Sequence, residues 1–341
     1  MRNHSLRSLV PAIVLGFCGL VQPCTASAQG KILIKIGTIA PEGSTWHDVL
    51  LKIRQEWRRL SSDRVELRVY AGGVLGDETE MVRKVQRRSL DGLAVSGVGL
   101  SRIDEGIDCL HYPLFFDSYD ELDYVRDAIA PQLEARIEAR KFKVLNWSDA
   151  GWVYFFTRDL ARTPDEVRQM KLWISAGDPD TEKFFKDLDF QVVPLPTTDM
   201  LTSLQTGLID AFDVPPLFAL LDRSYQEANH MIDLKWAPVV AATVISTRAW
   251  DRVPADLQPK LLDVSRTAGV ELRAEIRRAH EDAVAEMKTR GLTVVELSEQ
   301  DRALWREEVD GALPKLREFL GPPELCDDVR RFRDEYRANT P

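Results

Sequence analysis

Lys31 to Gly37 (KILIKIG) alternates apolar and polar residues, the period of a half-buried strand. Pro41-Glu42-Gly43 then breaks the chain, and Ser44 is placed to cap a helix reaching about Leu60. Arg64 to Tyr70 alternates again, the glycine-rich stretch Ala71 to Gly76 turns the chain, Asp77 opens a helix to about Arg88, and Asp91 to Gly97 is a short apolar strand. The order strand, helix, strand, helix, strand with short loops predicts a mainly parallel sheet flanked by helices. Tyr119 to Arg140 reads as helix, Phe142 to Phe156 as one long strand and Lys171 to Ser175 as another. Asp178 to Leu188 is a helix, Gln191 to Val193 a strand, and Thr197 to Thr206 a helix capped by Thr197 or Thr198. Ile209 to Asp213 is a strand stopped by Pro215-Pro216, and Met231 to Trp236 and Val239 to Ser246 are strands again.

From Ala255 to about Arg290 the period changes. Leu261, Val264, Ala268, Leu272, Ile276, Ala279, Ala283 and Met287 recur at three- and four-residue steps. Leu261 to Thr289 alone would measure about 43 Å at a rise of 1.5 Å per residue, longer than one lobe requires. The helix is expected to lie across two lobes. Gly291 ends it, Leu292 to Glu296 is a strand, and two amphipathic helices finish the chain. No long polar linker interrupts these elements, so the lobes should be joined by strands such as 142–156 and 239–247. Such a two-strand hinge permits closure around a ligand.

The first residues are a targeting segment. Arg2 and Arg7 precede the apolar run Leu9 to Val21, and Ala26-Ser27-Ala28 is a small-x-small cleavage site, so the mature chain should begin at Gln29. The run is shorter than the ~20 residues of a spanning helix, and Gln22-Pro23 before Cys24 is a poor lipobox. A soluble, exported protein is expected. Removal of residues 1–28 takes two of the 45 basic residues and none of the 54 acids, leaving a net charge of −11. Such a chain is a poor partner for nucleic acid or anionic lipid. Two cysteines remain, Cys109 and Cys326. Export would allow them to pair, but two cysteines so far apart make no framework, and two separate small buried residues are expected. The 313 mature residues exceed what one core fills, roughly 250–300 residues, which again predicts two lobes.

Reactive chemistry is sparse. His47, His111, His230 and His280 lie at no metal-ligand spacing. There is no GxSxG elbow, no P-loop and no GxGxxG after a strand. Ser96-Gly97-Val98-Gly99 is a turn-like echo of a phosphate loop, and His280-Glu281 reads as a solvated helix face with no nucleophile beside it. No catalytic residue, metal or cofactor is assigned. The aromatic residues say more. Trp46, Trp147, Trp152, Tyr154, Trp173, Phe212 and Trp236 fall near strand ends or in the loops that follow, and ligands of open α/β sheets bind beyond the carboxyl ends of strands. Core packing is the competing explanation for each one.

Taken in order, the motifs resemble those of the DctP-type solute-binding proteins of tripartite ATP-independent periplasmic (TRAP) transporters. They are Gly37-Thr38 with Pro41-Glu42-Gly43-Ser44, Arg68 to Asp77, Gln86 to Asp91, Tyr112 to Phe116, Thr163-Pro164 with Met170-Lys171-Leu172, Leu204 to Ala211, the long helix, and Gly291 to Glu296. The resemblance implies an α/β periplasmic binding protein of two lobes with hinge strands and a lobe-spanning helix. The expected lobes are 29–145 plus 245–295 and 146–244, with the long helix at 255–290 and terminal helices in 296–341. It implies capture of a small organic molecule and delivery to integral-membrane permease subunits. Three departures bear on the ligand. Carboxylate-binding members place an Arg after the strand that matches Lys171-Leu172, and here that residue is Trp173. The family's Asn before a proline falls at Val214, and the basic residue after its hinge glycine at Val153.

A ligand more apolar than a dicarboxylate or sugar acid is therefore expected, as in a branch of the family that works with a periplasmic tetratricopeptide-repeat partner. The alternative is a carboxylate held by another base, such as Arg158. The expected contacts are Trp46 and Ser96 from one lobe, with Trp152, Tyr154, Trp173, Ser175, Phe212, Asp213 and Trp236 from the hinge and second lobe. A monomer is expected. An exported enzyme would need a nucleophile or metal that the sequence lacks, and a receptor presenting its ligand to a membrane sensor would look the same.

Overall fold

A computed structural model describes residues 30–316 and 320–340, so the targeting segment lies outside the described residues. No helix among them is long and apolar enough to cross a membrane. The strands are β1 (Ile32–Gly37), β2 (Val65–Tyr70), β3 (Gly92–Val95), β4 (Phe142–Trp152), β5 (Tyr154–Thr157), β6 (Lys171–Ser175), β7 (Gln191–Leu195), β8 (Ala211–Val214), β9 (His230–Ile232), β10 (Pro238–Ser246) and β11 (Thr293–Val295). They form two sheets. One has the order β2-β1-β3-β10-β4, the other β11-β9-β5-β8-β6-β7.

The alternating strands at the start of the chain pair as their pattern requires. β1 runs parallel to β2 and to β3, with Ile34 opposite Leu67 and Ile36 opposite Gly92. Ser44 caps the helix Thr45–Leu60 by accepting from the His47 amide, and Asp77 caps Glu78–Gln86 through the Glu80 amide. The sheet is mixed rather than mainly parallel, because β10 returns antiparallel between β3 and β4. The segment expected to open as a capped helix at Thr197 or Thr198 instead starts as a 3-10 turn, Thr197–Asp199, with no side-chain cap.

The expected long strand 142–156 is two strands in two sheets. The chain leaves β4 at Gly151, which has φ +110°, and crosses at Val153 into β5. The return crossing runs from β9 to β10. The two crossings are bonded to each other, the Val153 amide donating to the Ala237 carbonyl at 2.8 Å and the Trp236 amide to the Val153 carbonyl at 3.0 Å. This is the paired hinge of a two-lobed fold. β11, counted with the first lobe by sequence, pairs with β9 in the second sheet.

Helix Gln258–Thr289 has 32 residues, about 48 Å at 1.5 Å per residue. Leu261, Ala268, Leu272 and Ile276 pack with Ile34, Ile36 and Trp57 under the first sheet. Met287 packs with Phe156, Phe212 and Met231 under the second. One helix thus buries its apolar stripe against both sheets.

Cys109 and Cys326 are joined, correcting the expectation of two separate thiols. Helix Pro323–Asn339 folds back beside the 3-10 turn Glu105–Leu110 and brings the Cα atoms to 4.9 Å, within the span of a disulfide. The bridge closes a loop over a sequence separation of 217. Cys109→Ala with Cys326→Ala should lower the unfolding free energy by roughly 2–5 kcal/mol. Urea titration of that variant and of wild type with and without dithiothreitol checks this; curves that coincide would contradict it.

Candidate functional site

A cavity of ≈ 250 Å³ lies between the two sheets. Its walls come from both sides of the hinge, and several lie at carboxyl ends of strands. Ser96 follows β3, Ser175 ends β6, Asp178 caps the next helix, and Asp213 lies one residue before the end of β8. This is where open α/β sheets receive ligands. A Cβ on Gly177 would lie 2.5 Å from Thr79 Oγ1 and 2.9 Å from Val98 Cγ1, so this second-lobe loop already touches the first lobe.

Of the residues expected from sequence, Trp46, Ser96, Trp173, Ser175, Asp213 and Trp236 line the cavity. Trp152, Tyr154 and Phe212 do not. Trp152 is buried 5.7 Å from the Tyr119 ring, Phe212 stacks on Phe156 at 4.9 Å, and Tyr154 packs against the core of the second lobe. Alternation decides this for β8: Phe212 and Asp213 are neighbours on a strand and face opposite sides. Two of these three wall tryptophans have no free indole N–H group. Trp46 Nε1 donates to the Asp149 carbonyl at 3.2 Å, and Trp173 Nε1 to the Leu195 carbonyl at 3.1 Å. Trp236 sits in a cluster with Phe155, Phe185 and Trp305.

Apart from Asp213, sequence reasoning missed the ionisable part of the lining: Glu78, Asp108, His111, Asp178 and Asp180. Glu78 is buried, and its carboxylate accepts from the Ser96 amide at 2.8 Å, the Ser96 hydroxyl at 2.7 Å and the Gly99 amide at 2.9 Å. The phosphate-loop echo Ser96–Gly99 therefore has its first and last amides and the Ser96 hydroxyl occupied by the protein's own carboxylate. Burial pushes Glu78 up, and these hydrogen bonds oppose the push. Asp108 accepts from the Ser101 hydroxyl at 2.7 Å, and burial raises it to about 8. His111 Nε2 accepts from the Val240 amide at 3.3 Å, leaving the proton of a neutral ring on Nδ1, 3.9 Å from Asp108. Burial lowers His111 to about 4, so it carries no charge near neutrality. Asp213 is raised well above the carboxylate range by burial and by Asp178.

No Lys or Arg lines the cavity among the described residues. Arg158 lies elsewhere, donating to the Leu204 carbonyl at 2.6 Å beside Asp210. No group of three or more His, Cys, Asp or Glu among the described residues is placed to hold a metal ion.

The profile of the bacterial extracellular solute-binding protein family 7, DctP, matches residues 36–318. The chain belongs to this family. Its relatives and structural neighbours are TRAP periplasmic solute-binding proteins. The C4-dicarboxylate-binding periplasmic protein DctP of Rhodobacter capsulatus is 21% identical over 325 residues, covering 94% of this chain and 92% of that one. The sugar acid binding protein DctPAm of Advenella mimigardefordensis, solved with galactonate, superposes with a TM-score of 0.83 at 19% identity, over 90% of this chain and 99% of that one. A TRAP periplasmic solute-binding protein of Sulfurospirillum deleyianum with bound succinate gives 0.81 at 18% identity, over 88% and 99%. These likenesses fix the two-lobe fold of the DctP family. His280, read from sequence as part of a solvated face, is buried in this chain against Gly151 of the hinge.

Proposed function

We propose that this family 7 protein is the ligand-capturing subunit of a TRAP transporter, exported by cleavage after Ala28, acting as a non-catalytic monomer. It closes its lobes on a small organic molecule and passes it to membrane permease subunits, with a periplasmic tetratricopeptide-repeat protein as a further partner. The ligand is more apolar than a dicarboxylate or sugar acid. One observation carries this reading: Trp173, where carboxylate-binding members are expected to place an arginine, forms a wall of a cavity lined by no Lys or Arg among the described residues. A bidentate guanidinium contributes a charge-assisted pair of roughly 1.5–3 kcal/mol that an indole cannot replace. Arg158, the base that could have taken over, is held by Leu204 and Asp210 outside the cavity, which supports the same conclusion.

Native mass spectrometry of the protein purified without denaturation should reveal a retained ligand with a substantial apolar body. Trp173 is only 5% exposed, so truncation to Ala would also cost core stability. Trp173→Phe keeps the burial and reduces the contact. It should weaken calorimetric affinity for that ligand about tenfold, with Trp173→Ala weaker still. Unchanged affinity in both variants would remove Trp173 from the site, and turnover of the ligand would end the non-catalytic reading.

A further inference from the structure

The polar groups of the cavity are of one sign, and they come from both lobes. Asp108 belongs to the turn Glu105–Leu110 beside the first sheet, while Asp178 and Asp213 belong to the second. Asp178 acts electrostatically on both Asp108 and Asp213. Asp213 lies partly buried on the cavity wall; its carboxyl group makes no hydrogen bond or ion pair to another described residue, only to its own backbone, and no cationic side chain acts on it. A buried carboxyl group left in that condition is costly to ionise unless something else neutralises it. The remaining charged and titratable groups do not supply that. Arg102 acts on Asp108 and Asp180, Lys183 is engaged by Asp187, His111 is neutral, and Glu78 is already saturated by Ser96 and Gly99.

The same wall repels anions in a second way. Two of the amides after β3, those of Ser96 and Gly99, are taken by Glu78, which sets a carboxylate where a ligand anion would have to approach this loop. The tryptophan N–H groups of Trp46 and Trp173 are taken by backbone carbonyls, leaving indole faces. An aromatic face attracts a cation through its quadrupole and offers an anion nothing.

We infer that the cleft selects an organic cation: an apolar body bearing an ammonium group, the body against Trp173 and Trp236 and the charge among Asp108, Asp178 and Asp213. This rests on the reading of the cleft as the ligand site and adds the sign of the ligand's charge. It also gives closure a cause. With the cleft empty, carboxyl groups on opposite lobes face each other, and either they hold protons or they repel. A cation between them removes that repulsion only in the closed form, so it stabilises closure by its differential affinity for the two states.

Three probes of equal length separate charge from shape: 3-phenylpropylamine, 3-phenylpropan-1-ol and 3-phenylpropionate, each titrated calorimetrically into the full mature chain. The amine should bind at least roughly ten- to a hundred-fold more tightly than the carboxylate, as expected for one charge-assisted contact. Its affinity should rise with pH, because binding a cation requires the acids to be ionised and Asp108 releases its proton only near about 8. Carboxylate binding to protonated acids would show the opposite slope. Asp213→Asn should abolish the preference for the amine over the carboxylate. Asp178→Asn, which keeps a capping side chain on its helix, should reduce it. The inference is overturned if the carboxylate binds as tightly as the amine, if both Asn variants keep the preference, or if the amine fails to bind. A retained carboxylic acid in native mass spectrometry would overturn the charge assignment and leave the solute-binding reading standing. Turnover would sink that reading itself.

Discussion

Asp149→Ala should destabilise the protein by roughly 3 kcal/mol, towards the low end of what removing one partner from a buried ion-pair network costs, because Asp123 still faces both guanidiniums. Asp149, on β4, is 1% exposed and Arg126 beside it is fully buried. Arg277 of the long helix reaches Asp149 Oδ2 through Nε at 3.0 Å and Nη2 at 2.7 Å, and grips Asp123 at 2.7 and 2.8 Å. Arg126 lies 2.7 Å from Asp123 and 3.6 Å from Asp149. Burial alone drives the Asp149 carboxyl towards its protonated form, and the two guanidiniums oppose that. Without the carboxylate, Arg126 keeps Asp123 and the exposed Asp127, while Arg277 loses two hydrogen bonds in a half-buried position. Asp149→Asn keeps the volume and part of the hydrogen bonding and should cost about half as much. Urea unfolding of both variants, with Arg277→Met and the Asp149→Ala/Arg277→Met double variant, measures the coupling directly. A coupling energy below ~0.5 kcal/mol would mean that the network does not tie the long helix to β4. The Asp149 carbonyl also accepts from Trp46, so loss of the network should disturb a cavity wall as well as the hinge strand.

Periodicity alone made most of the secondary structure legible. β1, β2 and the long helix each bury one face, and a single repeating residue class marks that face. What escaped the sequence depends on contacts between distant segments. Phe142 to Phe156 has no proline or polar loop to interrupt it, and β4 and β5 are both largely buried, so local pattern does not show that the chain changes sheet at Val153. Trp46, Trp173 and Trp236 were traceable as large aromatic residues on a short strand or shortly after one. Trp152 and Phe212 looked equivalent, yet their side chains turn into the core. The acids were invisible for a different reason. Asp178 reads as a helix cap and Glu78 as a first-turn acid, both ordinary surface roles, and both are helix-start residues here as well. Glu78 gains its interior neighbourhood from Ser96 and Gly99 of its own lobe, and Asp178 gains its own from the cavity shared with the facing lobe; both depend on segments distant in sequence. Pairing of Cys109 with Cys326 likewise depends on where the last helix docks.

Gly151→Ala should cost about 3 kcal/mol or more and should weaken ligand binding together with stability. Two separable causes add. The backbone at Gly151 has φ +110°, which a residue with a Cβ adopts only with strain of order 1–3 kcal/mol. A Cβ built there would also lie 1.9 Å from Cε1 and 2.3 Å from Nε2 of His280, forcing the imidazole out of its place. His280 is 7% exposed, and burial lowers its pKa to about 4, so it is neutral in the fold and has little room to retreat. Overpacking of this kind adds a further ~1–3 kcal/mol. The double variant Gly151→Ala/His280→Ala removes the collision and keeps the backbone strain, so it should regain part of the loss but not all of it. Complete recovery would assign the whole effect to sterics, and no recovery would assign it to the backbone. A Gly151→Ala protein that melts with wild type would mean that the chain does not need a left-handed turn where β4 hands over to β5. The same residue separates the two sheets and faces the helix that spans them. Its backbone conformation is therefore where the geometry of the hinge and the packing of the long helix meet.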